Sequence, residues 1–376
     1  MRKTSLVFLS CLLLTACANN NARVQKQLQE MSLEQKIGQM FIVRPEALDT
    51  AFFYDSATEL KQHALQEVTP RMRAVAQRYP MGGIILFGHN IKDPEQLERF
   101  MADLKSLPGN PLLSVDEEGG RVARLANNPA FHLTKLPPMA TLAAAGRTKE
   151  VYDAAYSVGT YLKQYGFDID FAPVADVNTN PMNIVIGDRA FSNSPQQAAP
   201  MVKNYVKGLQ KAGVISCIKH FPGHGDTQAD SHFGYAMSRK SWAEIIDCEM
   251  IPFRAGINAG AQMIMTAHIS LPNVIGSNLP STLSPMILQE KLRGELSFRG
   301  VIITDAMEMG AILRQYPIQD ACIMAVKAGV DMLLCVREYP QVFDALVAAV
   351  RRGEIPESRI DESVLRILRL RQAAGK

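Results

Sequence analysis

The chain has 376 residues, with 40 Lys and Arg against 37 Asp and Glu and a formal net charge of +3. So small an imbalance gives no basis for expecting nucleic acid as a partner. The length suffices for one large core or two domains. The six cysteines show neither the spacing of a disulfide framework nor that of a zinc knuckle.

At the start, Arg2 and Lys3 precede an apolar run over 6–14, followed by Leu14-Thr15-Ala16-Cys17. A basic leader, a short apolar stretch and small residues before a cut site describe a secretory signal, too short to span a bilayer. Residues 1–17 are therefore expected to form a signal peptide. The cysteine at the cut is similar to the lipobox of bacterial lipoproteins. That resemblance implies that Cys17 becomes the lipidated first residue of a protein held at the cell envelope through its lipid. Ala18, rather than Asp, implies the outer membrane facing the periplasm if the source is Gram-negative. The alternative is an ordinary signal in which Cys17 is incidental. Loss of Arg2 and Lys3 takes the formal charge from +3 to +1. The polar stretch 18–31 reads as a tether.

The body is expected over 32–376. Ser32-Leu33-Glu34-Gln35 fits a capping box that opens a helix. Short apolar runs then alternate with longer amphipathic segments. The runs are 40–43, 83–87, 112–115, 169–172, 214–218, 263–267, 301–304 and 332–335. They are nearly continuous in apolar residues, as expected for parallel strands buried on both faces. Helical patterns fill the gaps, for example at 197–212 and 340–352. Eight such units without a Pro/Gly/Ser-rich linker suggest a single (β/α)8 TIM barrel; a doubly wound sheet is the alternative. Cys217, Cys248, Cys322 and Cys335 fall inside these apolar or amphipathic stretches and are expected to be buried free thiols.

The run 214–218 leads into Lys219-His220-Phe221-Pro222-Gly223-His224-Gly225-Asp226, continuing to Asp230-Ser231-His232. A structural loop needs turn residues. It does not need three imidazoles, two carboxylates and an ammonium in one short segment. Other charges also fall just after apolar runs: Asp116 after the third, Asp176 after the fourth, His268 after the sixth and Asp305 after the seventh. In a barrel all of these converge on the C-terminal face. Position alone leaves Asp305 open as either a catalytic carboxylate or an ion-pair anchor.

The segment from Lys219 to His232 resembles the signature of the β-N-acetylglucosaminidases of glycoside hydrolase family 3. The likeness extends to Asp116-Glu117-Glu118-Gly119-Gly120-Arg121-Val122, to Gly187-Asp188-Arg189-Ala190-Phe191 and to Thr304-Asp305-Ala306-Met307. The resemblance independently implies the barrel. It implies Asp305 as nucleophile and His232, beside Asp230, as general acid/base. It also implies Asp116, Arg124, Arg189, Lys219 and His220 as the residues that hold a terminal N-acetylglucosamine of muropeptides or chitooligosaccharides. Neither a cofactor nor a metal is implied. The chemistry is consistent. Imidazole titrates near neutral pH, and a carboxylate on its other nitrogen fixes the tautomer and favours the imidazolium. Such a site also admits phosphate in place of water, which would make the enzyme a phosphorylase. A β-glucosidase or β-xylosidase of the family is a further alternative, although those relatives usually take their acid from an additional C-terminal domain. From other classes, a metal-dependent hydrolase using His220, His224, Asp226, Asp230, His232 and His268, or an inactive wall-binding lipoprotein, stand as alternatives. Arg189 could instead pair with Asp188 or another acid, and His224 and Asp226 could shape the loop. His63, His89 and His132 read as ordinary surface or loop histidines.

Overall fold

The computed structural model describes residues 21–53, 57–230 and 235–376. Eight strands form a closed barrel: β1 (Phe41–Val43), β2 (Gly83–Ile85), β3 (Leu112–Val115), β4 (Ile169–Asp170), β5 (Ile215–Phe221), β6 (Met263–Thr266), β7 (Val301–Ala306) and β8 (Met332–Leu334). Neighbours pair in parallel in chain order, and β8 closes on β1 through Phe41 opposite Leu333 and Ile42 opposite Leu334. Each strand is buried along its length, apart from the end of β7. This is why the sequence shows apolar runs rather than alternation. The doubly wound alternative is excluded by closure.

Two strands differ from the sequence expectation. β4 is regular only as far as Asp170, because Pro173 has no N–H for the ladder; bonding to β5 runs on through the carbonyls of Ala172 and Pro173, which accept from Cys217 N and Lys219 N, and through Ala175 N, which donates to Lys219 O at 2.6 Å. β5 continues to Phe221, so Lys219 and His220 stand on the strand itself rather than in the loop after it.

The helices cover the barrel. Ser32 caps helix Leu33–Gln39 with a reciprocal capping box with Gln35. The expected helices at 197–212 and 340–352 are observed as Pro195–Lys211 and Tyr339–Arg351. The stretch expected as a tether begins to fold before Ser32. Residues 21–30 are helical, and Val24 and Leu28, one turn apart, are buried in the core. Cys217, Cys322 and Cys335 are buried free thiols; Cys248 is partly exposed, contrary to expectation.

Helix Glu357–Ala373 closes the N-terminal end of the barrel. Its Arg371 donates to the carbonyls of Gly82, Gly109 and Asn110, which lie just before β2 and β3. Its Arg366 donates to Asp331, just before β8, at 2.9 Å. The opposite end is left as the mouth.

Candidate active site

The strand ends deliver Asp116, Asp176, Lys219, His220, His268 and Asp305 to this mouth, as the spacing of the apolar runs predicts. Asp116, Lys219, His220 and Asp176 are joined by hydrogen bonds into one network through Glu118 and Arg189. Lys219 Nζ donates to Asp116 Oδ1 at 2.7 Å and lies 2.6 Å from Glu118 Oε1. Arg189 grips Glu118 with both sides of its fork, Nε to Oε2 at 2.9 Å and Nη2 to Oε1 at 2.8 Å. Arg124 Nη2 reaches Asp116 Oδ2 at 3.5 Å. Of the acids open to Arg189, the partner is therefore one other than Asp188, which lies 3.4 Å from Arg121.

Glu118 is the member that sequence reasoning did not single out. It is buried, and burial alone would raise its carboxyl. Lys219 and Arg189 outweigh that cost and hold it down to about 2. Asp116 and then Glu118 raise Lys219, and Glu118 raises Arg189, despite the burial of each. Glu118 thus fixes the two cations that the resemblance assigns to sugar binding. A clue was present, because two buried cations demand a buried acid.

His220 has its own carboxylate. Asp176, fully buried at the end of the β4 segment, lies 2.7 Å from His220 Nδ1 and accepts the backbone N–H of His220 at 3.2 Å and of His224 at 2.7 Å. Burial raises Asp176, but His220 and then His224 pull it below the ordinary carboxylate value. The carboxylate assigns a proton to Nδ1, which leaves Nε2 as an acceptor facing Arg189 Nη2 at 3.4 Å. His224 is a loop-shaping residue. Its ring bonds Thr227 Oγ1 at 2.8 Å and its carbonyl accepts from Asn183 at 2.7 Å. Asp226 likewise ties the loop together, accepting from Thr179 at 3.1 Å and from Ser238 at 2.6 Å.

The glycines of this loop serve close approach. A Cβ on Gly225 would lie 2.0 Å from Val177 O, and Gly223 has φ +117° with Glu249 against it. The loop after β5 is therefore pressed onto the segment after β4. Beyond it, strands Gln228–Asp230 and Tyr235–Met237 pair as an antiparallel ribbon. His232 lies outside the described residues, as do Cys17 and the expected signal 1–17. The side chain of Asp230 is likewise not described.

Asp305 stands near the end of β7. Its Oδ1 accepts the N–H of Ala306 at 2.7 Å. Burial raises its carboxyl, but His220, His268, the Ala306 N–H and Lys219 together hold it below the ordinary value, so it is ionised at neutral pH. Among the described residues, no group of three or more His, Cys, Asp or Glu is arranged to hold a metal ion.

The fold and the site define a (β/α)8 barrel with an ionised carboxylate at its C-terminal mouth, the face on which barrels of this kind carry their active sites. The family described as "Glycosyl hydrolase family 3 N terminal domain" matches residues 32–370. The chain belongs to glycosyl hydrolase family 3. It is 33% identical over 336 residues to Beta-hexosaminidase A of Pseudoalteromonas piscicida, covering 82% of this chain and 56% of that protein. It is 36% identical over 274 residues to a Beta-hexosaminidase of Tolumonas auensis, covering 71% of this chain and 79% of that one. Among solved structures it is similar to a glycoside hydrolase family 3 beta-N-acetylglucosaminidase from Paenibacillus sp., with TM-score 0.81 and 36% identity, covering 92% of this chain and 63% of that one. The chain thus spans little more than half of the first relative and under two thirds of that structure.

Proposed function

We propose that this protein is a retaining exo-β-N-acetylglucosaminidase that removes terminal N-acetylglucosamine from muropeptides or chitooligosaccharides. In this reading one oxygen of Asp305 attacks the anomeric carbon while the glycosidic oxygen leaves with a proton from His232. His232 then takes a proton from water, the water oxygen attacks the same carbon, and the Asp305 ester breaks. Two displacements restore the anomeric configuration. Asp116, Arg124, Arg189, Lys219 and His220 hold the sugar, and Asp230 orients His232. The lipid on Cys17 holds the enzyme at the cell envelope.

The observation that carries this reading is the state of the carboxylates around Asp305. Glu118 and Asp176 are each buried against cations or imidazoles and held below the usual range. A general acid needs the opposite shift. Burial does raise Glu117 and Asp170, but Glu117 is taken up by the N–H groups of Arg124, Leu125 and Ala126 and by Tyr161, and Asp170 is fully buried and accepts from Glu117 N. His220 cannot take the role in this geometry, because its Nε2 faces an arginine that is always charged. In this reading the acid is His232, with Asp230 beside it in the chain. The likeness to two beta-hexosaminidases and to a beta-N-acetylglucosaminidase supports the identity of the sugar.

The test is the dependence on leaving group. His232→Ala is expected to cripple hydrolysis of a sugar-linked substrate by on the order of 10²–10⁴-fold. It spares the first step on a dinitrophenyl glycoside, and azide speeds breakdown of the accumulated glycosyl-enzyme. Equal losses on good and poor leaving groups, with no rescue by azide, would move the acid role elsewhere. Product analysis with and without phosphate separates hydrolysis from phosphorolysis.

A further inference from the structure

His268 follows β6 and is 4% exposed. Nothing in the catalytic steps above uses it, yet both of its ring nitrogens are engaged. Nε2 lies 3.1 Å from the carbonyl oxygen of Ala306, and Nδ1 lies 2.9 Å from Thr282 Oγ1. A carbonyl only accepts, so Nε2 carries the proton. The Thr282 hydroxyl is fully buried and is itself 2.8 Å from Thr266 Oγ1. A chain of buried side chains therefore runs from β6 and the turn Ser281–Leu283 to one backbone carbonyl on β7.

That carbonyl belongs to Ala306, the residue whose N–H holds Asp305 Oδ1 at 2.7 Å. The ladder with β8 holds the other side of this peptide, where Met307 N donates to Leu334 O at 2.9 Å, and the register shifts just before it, between Ile303 and Ala306; His268 supplies the second anchor, on the carbonyl. Thr304 fills the irregularity by accepting from Leu334 N at 3.0 Å. Clamping the carbonyl of Ala306 limits rotation about that residue, and hence the direction of the N–H that orients the nucleophile.

We propose that His268 is a positioning residue for Asp305. It acts through Ala306, holding one carboxylate oxygen on the peptide N–H so that the other faces the anomeric carbon. The inference rests on the reading of Asp305 as nucleophile. It predicts a loss in the bond-forming step and not in sugar binding. One lost buried hydrogen bond corresponds to on the order of tenfold to a hundredfold in rate.

The test uses the full chain, with a mechanism-based fluorosugar that titrates active sites and reports both the limiting inactivation rate and the binding constant. His268→Leu is expected to lower the limiting rate by on the order of tenfold to a hundredfold per titrated site, with the binding constant unchanged. His268→Gln, whose side-chain amide still donates, should recover most of that rate. Thr282→Val, which removes the partner of the ring but not the ring, should give a smaller loss in the same parameter, and it decides the matter if His268→Leu does not fold. An unchanged limiting rate in His268→Leu overturns the proposal. So do equal losses in the Leu and Gln variants that arise through binding. Peptide mapping of the labelled wild type separates the two readings. A label on a carboxylate other than Asp305 overturns the assignment of the nucleophile. A label on Asp305 with a normal rate in the His268 variants overturns only the role of His268.

Discussion

Glu118→Gln removes one charge from the centre of the network with almost no change in shape. The folded carboxyl is held at about 2 against an ordinary value of 4.5. At 1.36 kcal/mol per pKa unit, that difference corresponds to ~3 kcal/mol of stability in a side chain only 1% exposed. Because the folded value is depressed, the contribution is complete above pH 4.5 and fades as pH falls towards 2. By linkage it is reduced to about 2 kcal/mol at pH 3.5. The variant carries no such charge in either state. Its stability deficit relative to the parent is therefore largest at pH 7 and shrinks on acidification. For a domain of this size, ~3 kcal/mol lowers Tm by about 3–5 °C. The same substitution loosens Lys219 and Arg189, so KM for an N-acetylglucosaminide should rise. The assay is a set of urea melts of parent and variant between pH 7 and pH 3.5, with KM measured at pH 7. A deficit below about 1 kcal/mol at pH 7, or one that grows on acidification, would refute the reasoning.

Three further outcomes are expected. Gly225→Ala places a Cβ 2.0 Å from Val177 O, so the loop after β5 must lift from the segment after β4. Activity should fall far more than Tm, and equal activity in parent and variant would show that the close approach is not needed. Leu28→Ala, in the helical stretch 21–30, removes a buried side chain 8% exposed and should cost about 2–3 kcal/mol in a denaturant melt; a change near zero would restore the view of this stretch as a tether. Cys17→Ser is expected to abolish lipidation and shift the protein from the membrane to the soluble fraction, and membrane association that persists would count against the anchor.

The barrel was legible because its cause is local. Eight strands buried on both faces must each be written as an apolar run, and the helices between them must be amphipathic. Those two periods locate the strands to within a few residues. Deviations came where the backbone's hydrogen bonds decide, at Pro173, which interrupts β4, and at Lys219 and His220, whose polar side chains concealed a strand that continues to Phe221. The stretch around Val24 and Leu28 was misread for a related reason: two apolar residues one turn apart are too weak a pattern to announce a helix until the surface that covers them is known.

The candidate site divides along the same line. The sequence by itself determined which residue types stand at the strand ends, and the resemblance attached roles to Asp116, Arg189, Lys219, His220 and Asp305. Only the tertiary structure decided their pairing. Glu118 rather than Asp188 holds Arg189, Asp176 rather than a neighbour in the motif holds His220, and His268 reaches across to the carbonyl beside Asp305. The physical reason is that a barrel closes residues from different strands into contact across separations of many tens of positions. Which carboxylate meets which cation then depends on strand register and side-chain reach, and on the cost of leaving any buried charge alone. None of these is written in the order of residues along the chain.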